Sequence, residues 1–359
     1  MKAILMLEDG TVFYGNGLGG MREITGEVFF NTSVVGYQEL MTDPANAGKI
    51  LVLTYPLIGN YGINPKFNES GRCWLAGMVI KEKSRIYSNW QAKEGFDEFI
   101  NNQNLTVLSE VDTRSLTLHL RRYGQMRGII SIQSNTTKEL LSKLKNSGNN
   151  GTVNFLSKVS VNKPTFLNRK KGGYKLAILD LGVTKSLLRQ LDILGSSVCL
   201  FPYNTKPDEI LNGKFQGLII SSGPEEDAGL KETVASVKGL IQRIPILGIS
   251  TGHQVLSLAL GCRLKKLKVG HHGVNYPLGR PNSLKAEITV QNHTYVVDED
   301  SLSKIKDIKI TGYNLNDKSV EEIESKKLKV IGIQYYPVSP GFDEVNDILK
   351  RFLKLSKEY

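Results

Sequence analysis

Pro245-Ile246-Leu247-Gly248-Ile249-Ser250-Thr251-Gly252-His253-Gln254-Val255-Leu256-Ser257-Leu258-Ala259-Leu260-Gly261 decides the fold. Pro245–Ile249 is an apolar strand, and Thr251–Leu260 reads as a helix closed by Gly261. Between them Gly248-Ile249-Ser250-Thr251-Gly252 fits G-x-S-x-G, the tight strand-to-helix turn that presents a nucleophile. Small residues flank the central one because the turn strains its backbone and the chain packs closely around it. The helix start offers N–H groups that stabilise an oxyanion. The pattern marks a site, but a serine also needs a base to take its proton.

The same rhythm extends outward from the elbow. Leu176–Leu181, Ser197–Phe201 and Gly217–Ser221 read as strands, and Thr184–Leu194, Pro207–Leu211 and Ala228–Arg243 as helices. Leu187, Leu191 and Leu194 share one helix face. Apolar strands alternating with helices predict a mainly parallel sheet flanked by helices, an α/β domain. The tail predicts strands Glu287–Val290, Thr294–Val297, Ile308–Thr311 and Val330–Gln334, then a helix over Asp343–Lys357.

Upstream the texture differs. Lys2–Leu7, Thr11–Tyr14, Glu27–Asn31, Ile50–Tyr55, Leu75–Ile80, Leu105–Leu108 and Gly128–Ile132 read as strands, with Asp9-Gly10 turning the first into the second. Two helices are expected, over Thr113–Arg122 and from a capping threonine over Thr137–Lys145. This is a mixed α+β domain. The pattern collapses at Gly148-Asn149-Asn150-Gly151-Thr152 and again at the polar, glycine-ended run 168–173. The expected organisation is an N-terminal domain over 1–150, a linker over 151–173 and the α/β domain over 174–359.

Composition narrows the class. At 359 residues about two domains are expected, and 40% hydrophobic with 23% charged residues is the globular range. The formal net charge of +11 raises the question of a polyanionic partner. The densest basic clusters, Arg169-Lys170-Lys171 and Lys265-Lys266 with Lys268, are not interleaved with aromatics, and no zinc-finger or basic-zipper spacing occurs, so no nucleic-acid role is expected. No apolar run reaches 18 residues, and no membrane span or signal peptide is expected. Cys73, Cys199 and Cys262 are far apart and in no CxxC pair, which disfavours disulfides and zinc and fits a reducing cytoplasm. Each reads as packed core, Cys262 included although it ends the elbow helix. The histidines, His119, His253, His271, His272 and His293, carry no recognisable Ser–Asp–His order and read as hydrogen-bonded structural groups.

A resemblance can now be stated. The chain resembles the carbamoyl-phosphate synthetase small-subunit family, whose second domain is a class I glutamine amidotransferase. The likeness rests on Leu7-Glu-Asp-Gly-Thr11, Phe30-Asn-Thr-Ser33, the run 36–44, Leu53-Thr-Tyr-Pro56, Ile58-Gly-Asn60, Asp112-Thr-Arg114, Ser222-Gly-Pro224, the 248–254 elbow, Gly270-His-His-Gly273, Gln291-Asn-His293 and the run 334–341. The family's active elbow reads G-I-C-x-G-H-Q, and its histidine and glutamate lie in Q-x-H-P-E. The thiolate attacks the glutamine amide, the histidine is its base and the glutamate orients the histidine. Here those positions hold Ser250, Tyr336 and Val338. A serine hydroxyl is a far weaker nucleophile than a thiolate. Tyrosine, with a pKa near 10, offers almost no phenolate at neutral pH. Valine orients nothing.

The resemblance also implies a vestigial glutamine pocket at Ala45, Gly223, Glu225, Thr251, Gln254, Asn292, Thr294 and Tyr295. Gly223, Gln254 and Asn292 keep the family's residue. Glu225 replaces a glycine of the S-N-G-P-G-D pattern and sets negative charge where an oxyanion would develop. The implied role is structural support of an ATP- and Mg-using large subunit that takes free ammonia, with no cofactor or metal on this chain. Three other readings stand beside it: a pseudoenzyme binding another metabolite around Glu225, Thr294 and Tyr335; a glutamine-hydrolysing subunit with Ser250 served by His253 or His272; and a serine hydrolase on the literal elbow motif.

Overall fold

A computed structural model of the chain describes residues 1–20, 22–132, 136–148, 152–168 and 172–357. The basic run Arg169-Lys170-Lys171 lies outside the described residues. The chain divides into two compact units, Met1–Val153 and Asn154–Tyr359.

The first unit contains β1 (Lys2–Leu7), β2 (Val12–Gly19), β3 (Ile24–Asn31), β4 (Ile50–Leu53), β5 (Leu57–Ile58), β6 (Gly77–Val79), β7 (Glu82–Lys83), β8 (Thr106–Ser109) and β9 (Met126–Ser131). Seven of these close a barrel in the order β1-β2-β8-β6-β4-β3-β9, with β9 pairing back onto β1, while β5 and β7 pair separately. The turn at Asp9-Gly10 forms as the sequence predicts. Gly10 takes φ +89°, and the Asp9 carboxylate accepts the Thr11 amide at 2.9 Å. Strand residues alternate between two apolar layers. Phe29, Leu51, Met78 and Val107 pack with Tyr37, Met41, Phe96 and Phe99, while Met6 and Ile129 pack with Leu140 and Leu144. The alternate residues Leu5, Leu7, Val28, Ile50, Val52, Val79, Leu108 and Ile130 are fully buried and fill the barrel. Two short helices beyond the expected pair, Tyr37–Thr42 and Phe96–Asn102, cover it. At six and seven residues they are too short to show a helical period. The capping threonine of the helix Thr137–Asn146 is Thr136, which forms a capping box with Glu139.

The second unit continues with β10 (Thr165–Phe166), β11 (Lys175–Asp180), β12 (Ser197–Pro202), β13 (Gly217–Ile220), β14 (Ile246–Ile249), β15 (Leu264–Gly279), β16 (Ala286–Val297), β17 (Lys309–Asn314), β18 (Val320–Ser325) and β19 (Val330–Ile333). They form one sheet in the order β10-β12-β11-β13-β14-β19-β18-β16-β15-β17. The central run β12-β11-β13-β14-β19 is parallel. Its alternate residues fall on two faces. Ala177, Leu179, Leu218, Ile220 and Ile246 meet helices Leu230–Lys238 and Thr251–Ala259. Leu176, Ile178, Ile219, Leu247 and Ile331 meet Lys185–Ile193 and Asp347–Lys357. The predicted α/β sheet with helices on both faces is the observed one.

The antiparallel half departs from expectation. The two strands expected around His293 are one continuous strand, β16, and His293 pairs with His271 of β15. The polar run Gln291-Asn292-His293 breaks the apolar pattern; Asn292 and His293 face His272 and His271 across the ladder, and Gln291 faces Gly273. β18, Val-Glu-Glu-Ile-Glu-Ser, gave no strand signal; its Glu322 is buried because Arg280 and Arg351 reach it at 2.9 and 2.7 Å. The C-terminal helix starts at Asp347, not Asp343. Asn346 Nδ2 donates to the Val338 carbonyl while its Oδ1 accepts the Ile348 amide, which fixes the chain before the first turn.

Candidate active site

The elbow forms as its glycines require. A Cβ on Gly252 would lie 2.1 Å from the Ile220 carbonyl oxygen, and one on Gly248 would lie 2.6 Å from the Gly252 oxygen. Only glycine lets helix and strand approach this closely. Ser250 sits at φ 52°, ψ −112°, the left-handed region that costs a non-glycine residue about 1–3 kcal/mol. Its amide donates to the Ile333 carbonyl at 2.8 Å, which places the elbow beside the end of β19.

Among the described residues no imidazole is hydrogen-bonded to the Ser250 hydroxyl. Ser250 is buried, and its Oγ has no hydrogen-bond partner among the described residues. His253, on the elbow's own helix, is fully buried with neither ring nitrogen hydrogen-bonded, and burial pushes its pKa down to about 3. Its ring lies against β19: a Cβ on Gly332 would be 2.3 Å from His253 Nδ1. His272 is engaged elsewhere, with Nδ1 donating to Asn292 Oδ1 at 2.8 Å.

The late segment leaves the end of β19. Tyr336 is half-buried on the sheet face that Lys185–Ile193 and Asp347–Lys357 cover, and its amide donates to the Val290 carbonyl at 2.9 Å. Val338 is 48% exposed. Tyr335 is buried in the core, and its hydroxyl donates to Glu322 Oε2 at 2.9 Å. Burial and that carboxylate push its phenol well above the usual range.

Glu225, on the loop that follows β13, is only 7% exposed. Its Oε1 accepts Gln254 Nε2 at 2.6 Å and the Tyr295 amide at 3.2 Å, and its Oε2 accepts the Thr294 amide at 2.8 Å. Gln254 Nε2 also donates to the Tyr295 carbonyl at 3.1 Å. Thr251 Oγ1 donates to the Gly223 carbonyl at 2.5 Å, tying the elbow helix to the loop that carries Glu225. Gly223 is required there, since a Cβ would lie 2.0 Å from the Leu181 carbonyl oxygen. Of the pocket residues named from sequence, Glu225, Gln254, Thr294 and Tyr295 therefore form one bonded group, and Thr251 is bonded to Gly223. Asn292 is bonded to His272 instead. Ala45 belongs to the first unit, buried in a one-turn helix where the Asp43 carboxylate accepts its amide at 2.9 Å.

A second titratable cluster was not legible in the sequence. His271, His293 and Glu321 bring candidate ligand atoms within 4.8 Å of one another. Burial works against a charged His271, but the Asp317 and Glu321 carboxylates outweigh it and raise its pKa to about 9. A cationic imidazole held by Asp317 at 3.1 Å opposes a metal cation in the same space. Burial raises the cysteine thiols, Cys262 to about 11 and Cys73 to about 12, so neither is a ready thiolate.

The chain is similar to known proteins over both units. Residues 5–130 match the family model for the carbamoyl-phosphate synthase small chain, CPSase domain, and residues 177–355 match glutamine amidotransferase class-I. The chain is 40% identical to the carbamoyl phosphate synthase small chain of Caldanaerobacter subterraneus subsp. tengcongensis, over 100% of this chain and 98% of that one. It is 38% identical to the small chain of Clostridium acetobutylicum, over 99% and 100%. It is 37% identical to that of Akkermansia muciniphila, over 99% and 97%.

The chain belongs to the carbamoyl phosphate synthase small chain family. Its barrel unit spans the small-chain domain, and its parallel-sheet unit spans the amidotransferase domain with the elbow at the end of β14. No helix among the described residues of this small-chain relative is long and apolar enough to cross a membrane.

Proposed function

We propose that this chain is a carbamoyl phosphate synthase small subunit that does not hydrolyse glutamine. It supports a large subunit that uses free ammonia, with ATP and Mg bound on that partner. The observation that carries the reading is the isolation of Ser250: its Oγ has no hydrogen-bond partner among the described residues, and no imidazole is bonded to it. The two positions that would supply base and orienter carry Tyr336 and Val338. Base assistance alone is worth about 10²–10⁴ in rate. The partner follows from the full-length likeness to proteins named small chains.

Ammonia release from L-glutamine by the purified chain tests the first half. Carbamoyl phosphate formation by its complex with a large subunit, with ammonia or glutamine as donor, tests the second. The reading expects turnover with ammonia and background with glutamine. Glutamine-driven turnover rejects it.

A further inference from the structure

Three donors converge on one carboxylate beside the elbow helix. Gln254 Nε2 comes from the elbow helix, and the Thr294 and Tyr295 amides come from β16. The β15–β16 ladder shifts register between Lys266 and His271, and at this irregularity both amides donate to Glu225. Bulges of this kind re-aim backbone groups next to active sites. Convergent N–H donors make a cradle for an anion. The cradle lies beyond the carboxyl ends of the parallel strands, where open α/β sheets bind ligands.

The occupant is the chain's own. Glu225 presents a carboxylate on two methylenes, which is the side chain of glutamate. We infer that Glu225 is a tethered occupant of a carboxylate-binding cleft, holding the place of the carboxylate of a free amino acid and closing the cleft to it. This rests on the reading above, in which the cleft is a relic of an amino-acid site. Tethering favours the internal group, because an attached ligand acts at an effective concentration of about millimolar or more. Glu226, the next residue, is ion-paired with Lys266 at 3.4 Å and adds a second tie between this loop and β15.

The experiment compares the unaltered chain with Glu225→Gly and Glu225→Ala. Each is titrated by calorimetry with sodium acetate and with L-glutamine, and melting temperature is followed in parallel. The variants are expected to bind both ligands saturably, at least about tenfold more tightly than the unaltered chain, and to melt higher in their presence. Equal L-glutamine affinity in the unaltered chain and in Glu225→Gly overturns the inference. So do folded variants that bind neither ligand. If both variants fail to fold, amide exchange of Thr294 and Tyr295 in the unaltered chain decides: slow exchange is expected, and exchange at the rate of solvent-exposed amides overturns it. Glutamine bound without hydrolysis by the unaltered chain sinks this inference and leaves the proposed function standing. A closed cleft in a complex that cannot use ammonia does the reverse.

Discussion

The Ser250 amide donates to the Ile333 carbonyl at 2.8 Å, so the tip of the elbow is anchored to the end of the neighbouring parallel strand. That bond holds Ser250 at φ 52° although its side chain gains nothing there. Ser250→Gly removes the left-handed strain and a buried, unbonded hydroxyl, against the larger chain entropy of glycine. The expected outcome is a gain of about 1 kcal/mol in urea unfolding, with ammonia-dependent carbamoyl phosphate formation unchanged. A loss of stability would mean that the hydroxyl has a partner the static structure does not contain.

Gly252→Ala should act in the opposite direction. In an ordinary helix this change stabilises by about 1 kcal/mol. Here the new methyl would lie 2.1 Å from the Ile220 carbonyl oxygen, which is backbone and cannot swing away. Overpacking of this kind costs about 1–3 kcal/mol. The unfolding midpoint of Gly252→Ala should fall, and a rise would show that the elbow helix shifts more freely than its packing implies.

The elbow was legible because it is local: strand, turn and helix occupy one continuous stretch around Ser250. The parallel strands were legible for a similar reason. Each is buried on both faces, so Leu176–Leu181 and its neighbours read as unbroken apolar runs. What sequence could not show is pairing across distance. Glu225 read as an intruding charge, but its three donors lie 29, 69 and 70 residues away, and only folding brings them to it. β18 hid because its buried Glu322 is balanced by Arg280 and Arg351, and its buried Glu321 by His271, all from other elements. Tyr335 precedes Tyr336, the position the resemblance makes the base, and read as pocket. Its hydroxyl turns instead to Glu322, on the strand paired with β19.

The histidines predict a stability maximum near pH 6.5. His271 has a folded pKa of about 9, above its ordinary value, so its contribution is full below pH 6.5 and is lost as pH rises toward 9. His253 is the opposite case. Burial holds its folded pKa at about 3, so stability is full above pH 6.5 and falls as the pH drops and the unfolded chain takes up the proton. Asp317, whose carboxyl is held low mainly by His271 and Ser319 against its burial, adds a further loss only below about pH 4. Melting temperature followed from pH 5 to 10 should trace this dome. In His271→Gln the alkaline limb should flatten by on the order of 2 kcal/mol. An unchanged alkaline limb would place the proton elsewhere in the cluster of His271, His293, Glu321 and Asp317.

Rebuilding the chemistry should require opening the cleft as well. Ser250→Cys, Tyr336→His and Val338→Glu together would restore nucleophile, base and orienter at their positions. Glu225 would remain, with its carboxylate on the Thr294 and Tyr295 amides and its charge beside the developing oxyanion. The triple variant is therefore expected to release ammonia from glutamine at background rate. Adding Glu225→Gly should raise that rate by about 10² or more, the scale of base catalysis in a site the substrate can enter. Coupled detection of ammonia from the triple and quadruple variants, side by side, separates the two obstacles. A triple variant as active as the quadruple would show that glutamine displaces Glu225 unaided, and that only the triad positions silence the site.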